Sequence, residues 1–139
     1  MSTRSYIGLK RGNDIVAIYC HNDGYLNGVG RTLKDYYRDV SSIEKLISLG
    51  SISSLGPTIG VKVDFDKYVS FPETIKRDMN KEIFQTVAYH RDRGDDLIIQ
   101  SCSSIEEYKS FIYEVNYLYL FENNKWKYLT YDMDNFEEF

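Results

Sequence analysis

The apolar positions of the chain fall into two rhythms, one of period two and one of three to four, and their order predicts an α+β fold. From Arg4 to Lys10 the residues alternate, with Ser5, Ile7 and Leu9 on one side and Tyr6 and Gly8 on the other, as a strand requires. Arg11-Gly12-Asn13-Asp14 supplies a turn and Ile15 to His21 a second strand, so residues 4 to 21 read as a β-hairpin. Ile15-Val16-Ala17-Ile18-Tyr19-Cys20 is apolar at consecutive positions, which marks an inner strand covered on both faces. After a polar loop the rhythm changes. Val29, Leu33, Tyr36, Tyr37 and Val40 recur at helical spacing and predict a helix from Asn27 or Gly28 to about Asp39. Ser41-Ser42-Ile43-Glu44 reads as a capping box opening a second helix, which Gly50 ends.

Ser51 to Gly60 reads as a loop, and Val61 to Asp66 alternates as an edge strand does. Pro72 to about Lys81 fits a short surface helix or an insert. Ile83 to His90 predicts a strand running into the charged loop Arg91-Asp92-Arg93-Gly94-Asp95-Asp96. Ser104-Ile105-Glu106-Glu107 is a second capping box, opening a helix through Phe111 or Ile112. Glu114 to Phe121 and Trp126 to Tyr131 form a closing hairpin, with Val115, Tyr117, Tyr119 and Phe121 on one face and Asn123-Asn124 suited to the positive φ of a tight turn. The expectation is one α+β domain over residues 1 to 139. It has a five- to six-stranded, mostly antiparallel sheet with two to three helices on one face.

Composition narrows the function classes. The 139 residues suit one hydrophobic core rather than two. Thirteen tyrosines, seven phenylalanines and one tryptophan make that core ring-lined and favour strands. A net charge of −4, with acids gathered in Asp132 to Glu138, speaks against direct nucleic-acid binding through phosphate neutralisation. Cys20 and Cys102 have no metal-site spacing and read as buried thiols. No apolar run reaches signal-peptide or membrane-span length, so no membrane partner is expected.

Candidate chemistry concentrates between Ile18 and Arg31, which gather a histidine, an acid, a cation, two tyrosines and three glycines. His21-Asn22-Asp23 has an echo in His90-Arg91-Asp92. Were the two strands neighbours running the same way, His21 and His90 would share a rim with Arg91, Arg93 and Arg31. Two imidazoles beside cations suit general acid and base work on a phosphodiester. As a binding set, His21, Asp23, Tyr25, Arg31, His90, Arg91 and Arg93 would form pocket walls, with Tyr19 or Tyr25 stacking a base. Gly28-Val29-Gly30 ahead of a helix has the flavour of a phosphate loop, but lacks the Gly-x-Gly-x-x-Gly and Gly-Lys-Ser/Thr patterns. Asp35, one turn after Arg31, is the plain partner for that cation. His21, Asp23, His90 and Asp92 are ligand types without ligand spacing, so neither a metal nor a cofactor is expected. Alternating tyrosines on the closing hairpin read first as core.

Three stretches carry a resemblance: Met1 to Gly8, Ile18 to Tyr25 with Gly28-Val29-Gly30, and Thr86 to Gly94. In these the chain resembles a group of small proteins from phages and mobile elements of bacteria, over most of its length. Where this sequence has Asn22 and Leu26, others of the group tend to carry Trp and Pro. The resemblance implies a phage accessory protein in the cytoplasm of a bacterial host, a class in which inhibitors of bacterial immunity, anti-CRISPR proteins among them, are common. It identifies no active site. The expected function is therefore inhibition of a host defence system by binding, through sequestering a nucleotide-type signal or occluding an effector protein. The alternatives are a small phosphodiester-cleaving enzyme and a structural or regulatory phage protein, with homo-oligomer formation left open.

Overall fold

The computed structural model describes residues 3–60 and 85–139. The edge strand expected at Val61 to Asp66, the helix or insert at Pro72 to Lys81 and the start of the strand at Ile83 lie outside the described residues.

The opening hairpin forms as expected: β1 (Ser5–Arg11) pairs antiparallel with β2 (Asp14–Cys20), and Gly12, at φ +61°, takes the corner that only glycine fills without strain. A π-helical turn, Leu26–Gly30, leads into α1 (Arg31–Tyr36), and α2 (Val40–Ile47) follows. The single helix expected from residue 27 or 28 to about 39 is thus two pieces of different pitch. The cap of α2 also differs: Asp39, not Ser41, accepts the Ser42 amide at 2.7 Å. An aspartate two residues earlier caps equally well and brings Val40 into the first turn.

Next come β3 (Ile52–Ser54), β4 (Val87–Ala88), α3 (Tyr89–Arg93) and β5 (Gln100–Cys102). α4 (Ile105–Lys109) continues as a 3₁₀ turn, Ser110–Tyr113. Its cap is as expected at one end, Ser104 Oγ accepting from Glu107 N at 3.1 Å, while the Glu107 carboxylate turns to Ser103 N at 2.8 Å. The closing hairpin of β6 (Tyr117–Glu122) and β7 (Lys125–Thr130) turns through Asn123 and Asn124, at φ +54° and +61°, and β8 (Glu137–Glu138) pairs with β7.

The α+β class holds, on a larger and more mixed sheet than the pattern suggests. The strands run β4-β3-β2-β1-β6-β7-β8, with β5 also on β2. β1 lies parallel to β6, Ser5 opposite Tyr117, and β2 lies parallel to β3. Local alternation specifies strands but not their partners, and the parallel pairs join segments far apart in sequence. Helices cover both faces, not one. On the first, Ile7, Leu9, Ile18, Cys20, Tyr119 and Phe121 meet Leu33, Ile43 and Leu46 of α1 and α2. On the second, Tyr6, Ile15, Ala17, Leu118 and Leu120 meet Tyr108 of α4 and Ile112. Gly8 makes room there: a Cβ would lie 2.8 Å from the Tyr108 ring, whose hydroxyl donates to Tyr119 O at 2.6 Å. Both cysteines are free and buried, as the spacing suggests. Among the described residues no helix is long and apolar enough to cross a membrane.

Candidate functional site

The glycine-rich stretch is shaped by the protein's own backbone. Asp23, at φ +57°, turns the chain, and its carbonyl accepts from Val29 N at 2.8 Å. Gly24 N donates to Thr3 O at 2.8 Å, Gly24 O accepts the Tyr119 hydroxyl at 2.6 Å, and a Cβ on Gly24 would lie 2.9 Å from Arg4 backbone. A Cβ on Gly28 would collide with Asp23 O, and one on Gly30 would press Tyr119 and Phe139. The amides that a phosphate would need are engaged: Gly28 and Gly30 N donate to Tyr25 O, Val29 N to Asp23 O and Arg31 N to Leu26 O. Close packing therefore accounts for these glycines, and the phosphate-loop likeness ends at the sequence.

The two histidines occupy different settings. His21 follows β2, donates its amide to Ile52 O at 3.1 Å, and holds Nδ1 2.8 Å from the Tyr19 hydroxyl. Burial raises the Tyr19 pKa, so the phenol keeps its proton and is suited to donate to that nitrogen. His90 is not at a strand end. The strand stops at Ala88, His90 lies in α3, and its Nδ1 sits 2.7 Å from Asp95 O across the turn made by Gly94. β3 separates β2 from β4, parallel to the first and antiparallel to the second, so the chain leaves toward His21 and toward His90 in opposite directions. The shared rim needed neighbouring strands running the same way, and neither condition is met.

The cations of the set have contacts of their own. Arg31 is exposed and pairs with Asp35 at 3.6 Å. Arg93 lies over the Tyr89 ring at 5.3 Å. Arg91 acts as a brace: Nη1 donates to Ile59 O at 2.7 Å, Nη2 to Thr86 O at 2.8 Å, and Nε to Asp92 Oδ1 at 3.0 Å. The fully buried Asp92 carboxylate also accepts the Ala88 amide at 2.8 Å. Tyr25 is 43% exposed and its hydroxyl stands 3.4 Å from Asp23 Oδ1. Each of these side chains is thus held by a local contact among the described residues. Among the described residues no group of three or more His, Cys, Asp or Glu side chains could hold a metal ion.

A cleft of about 370 Å³ opens elsewhere, where α1 and the loop after it face the end of the closing hairpin and β8. Lys34, Arg38 and Lys125 bring three cations to it, Asn124 a polar side chain, and Phe121, Trp126 and Phe139 an aromatic floor. Trp126 is pinned by its indole N–H donating to Tyr37 O at 2.7 Å, and it meets Phe121 edge-on at 5.2 Å. Phe139 stands edge-on to Tyr119 and Tyr128, each at 5.8 Å, with the Lys34 ammonium 5.9 Å from its centroid. Sequence reading misses this set because its halves lie nearly a hundred residues apart. The one signal available was the four-residue spacing of Lys34 and Arg38, which a helical period places on one side.

Comparisons with protein-family models, with curated proteins and with solved structures find no match to this chain.

Proposed function

We propose that this protein is a phage-encoded accessory protein that inhibits a bacterial defence system by binding, in the cytoplasm of the host, with phosphodiester cleavage as the alternative. The observation that favours binding over cleavage is that Arg91 is committed to two backbone carbonyls and a buried carboxylate, while His21 and His90 follow strands that run in opposite directions. General acid and base catalysis needs both groups within reach of one reacting centre. The phage setting rests on the resemblance alone. Sequestering a nucleotide-type signal is the first mode of binding, because the cleft joins cations to aromatic rings.

One observation favours the second mode, occlusion of an effector. Tyr113 and Tyr131, 79% and 75% exposed, meet edge-on on a surface that also carries Glu106, paired with Lys109 at 4.0 Å, and Asp134, an aromatic and polar patch suited to a protein partner. The test has two parts. Phage plating on defended bacteria, with and without the protein expressed, asks whether defence is blocked, and equal plating overturns the reading. Incubation with a panel of linear and cyclic nucleotides, followed by heat release, asks how. Intact nucleotide released from the protein supports sequestration, and new products return the enzyme reading. Restored plating with no nucleotide retained supports occlusion, which Tyr113→Ala with Tyr131→Ala then abolishes.

A further inference from the structure

We infer that the cleft between α1, β7 and β8 is a binding site for a nucleoside phosphate, with Arg38 and Lys34 holding the phosphate and the Trp126 and Phe139 floor facing the base. This rests on the sequestration reading and names its site and ligand class.

Charge argues first. The chain as a whole is acidic, at −4, yet here three side-chain cations line the cleft with one side-chain carboxylate, Glu138, which pairs with Lys125 at 3.2 Å on an exposed rim. Arg38 has no carboxylate partner among the described residues, and Lys34 faces a ring rather than an acid. A guanidinium without a carboxylate partner among the described residues, beside an ammonium, matches a phosphate, because the planar fork can donate two parallel hydrogen bonds to its oxygens. Position argues next. Arg38 lies immediately before Asp39, whose carboxylate caps α2, and immediately after Tyr37, whose carbonyl is held by Trp126. The backbone at Arg38 is therefore fixed on both sides, which limits the ordering cost of binding.

Size and lining select the rest of the ligand. A volume of about 370 Å³ exceeds what an inorganic phosphate fills and lies at the small end of organic ligand sites. Phe139, partly exposed, with the buried Trp126 and Phe121 behind it, shares the lining with the cations, and a planar ring suits that surface as the uncharged part of the ligand. Asn124, at the positive-φ hairpin corner, brings an amide able both to donate to a base edge and to accept from it.

Trp126 is the sole tryptophan of the chain, so its emission reports on this cleft. The experiment titrates AMP, adenosine and inorganic phosphate into the intact protein, following tryptophan fluorescence and heat of binding. AMP is expected to saturate, with adenosine and phosphate each weaker by about tenfold or more, since each lacks one half of the recognition. Arg38→Ala is expected to raise the AMP dissociation constant about tenfold. Arg11→Ala, which removes an exposed cation paired with Glu44 at the end of β1, leaves it unchanged. No signal or heat at millimolar AMP, equal binding of phosphate and AMP, or an Arg38→Ala variant that binds like the wild type overturns the assignment. A glutamate-rich peptide that displaces AMP at lower concentration than AMP binds also overturns it. Plating separates this inference from the wider reading. Blocked defence without AMP binding sinks the site alone, whereas AMP binding without blocked defence sinks the anti-defence function and keeps the site.

Discussion

Replacing Arg91 separates a bracing role from a ligand-binding one. In Arg91→Ala, the carbonyls of Ile59 and Thr86 lose their donors at 2.7 and 2.8 Å, and the Asp92 carboxylate, fully buried, loses its guanidinium at 3.0 Å. Stripping the partner from a buried ion pair costs about 3–5 kcal/mol, because the remaining charge stays desolvated. Arg91 itself is 17% exposed, so some water reaches the gap and the lower end, about 3 kcal/mol, is the working figure. With a urea m-value of about 1.5 kcal/mol/M, the unfolding midpoint falls by about 2 M. Arg91→Lys recovers little, since a single ammonium cannot reach two carbonyls and a carboxylate at once. The assay is urea unfolding followed by tryptophan emission and far-ultraviolet circular dichroism, whose transitions coincide in a two-state domain. A loss within about 0.5 kcal/mol, the range of ordinary surface substitutions, refutes the reasoning and returns Arg91 to the list of ligand residues.

Three further outcomes follow from the geometry. Tyr119→Phe leaves Gly24 O without its buried donor, costs about 1–3 kcal/mol and speeds amide exchange at Val29 and Gly30; unchanged exchange there would show that the hydroxyl does not anchor the loop. Cys20, whose thiol burial pushes up to about 12, resists aromatic disulfide reagents until the protein unfolds, so labelling faster than unfolding contradicts its placement in the core. Glu122 accepts from Lys10 at 2.7 Å and Lys127 at 2.9 Å, and these bonds hold its pKa below the ordinary carboxylate value. A depressed folded-state pKa contributes stability above the unfolded pKa of about 4.3 and loses it as pH falls through the folded value. Glu122→Gln should therefore cost about 1 kcal/mol at pH 7 and converge on the wild type in acid melts; a constant gap down to about pH 2 counts against the ion pairs.

The strands and the turn corners were legible because period-two alternation and positive-φ residues are local signals. Gly12, Asn123 and Asn124 each announce a corner, and both hairpins follow. Partner choice was not legible. Nothing in residues 5 to 9 says that they lie beside 117 to 121, and without that pairing neither the two-faced core nor the mixed sheet can be inferred. The same blindness affects the site. Tyr89-His90-Arg91-Asp92 carries strand-like aromatic and charged residues, yet the buried Asp92 capping the Ala88 amide bends it into a helical turn. His21 and His90 were alike in sequence and differ in setting. Lys34 and Lys125 were unremarked in sequence and share a cleft.

The parallel pairing of β1 with β6 also dictates how the molecule must be made. β1 lies between a partner a few residues behind it and one whose register begins at Tyr117. Until that segment is synthesised, the β1–β2 hairpin presents an apolar strand with an open hydrogen-bonding edge, the arrangement most prone to joining another chain. Closure of so long a loop comes late and makes folding slow relative to a protein of the same size built from local contacts. Fast synthesis at high concentration is thus the condition under which this chain is most exposed to aggregation, and lowering the expression temperature is the corresponding remedy.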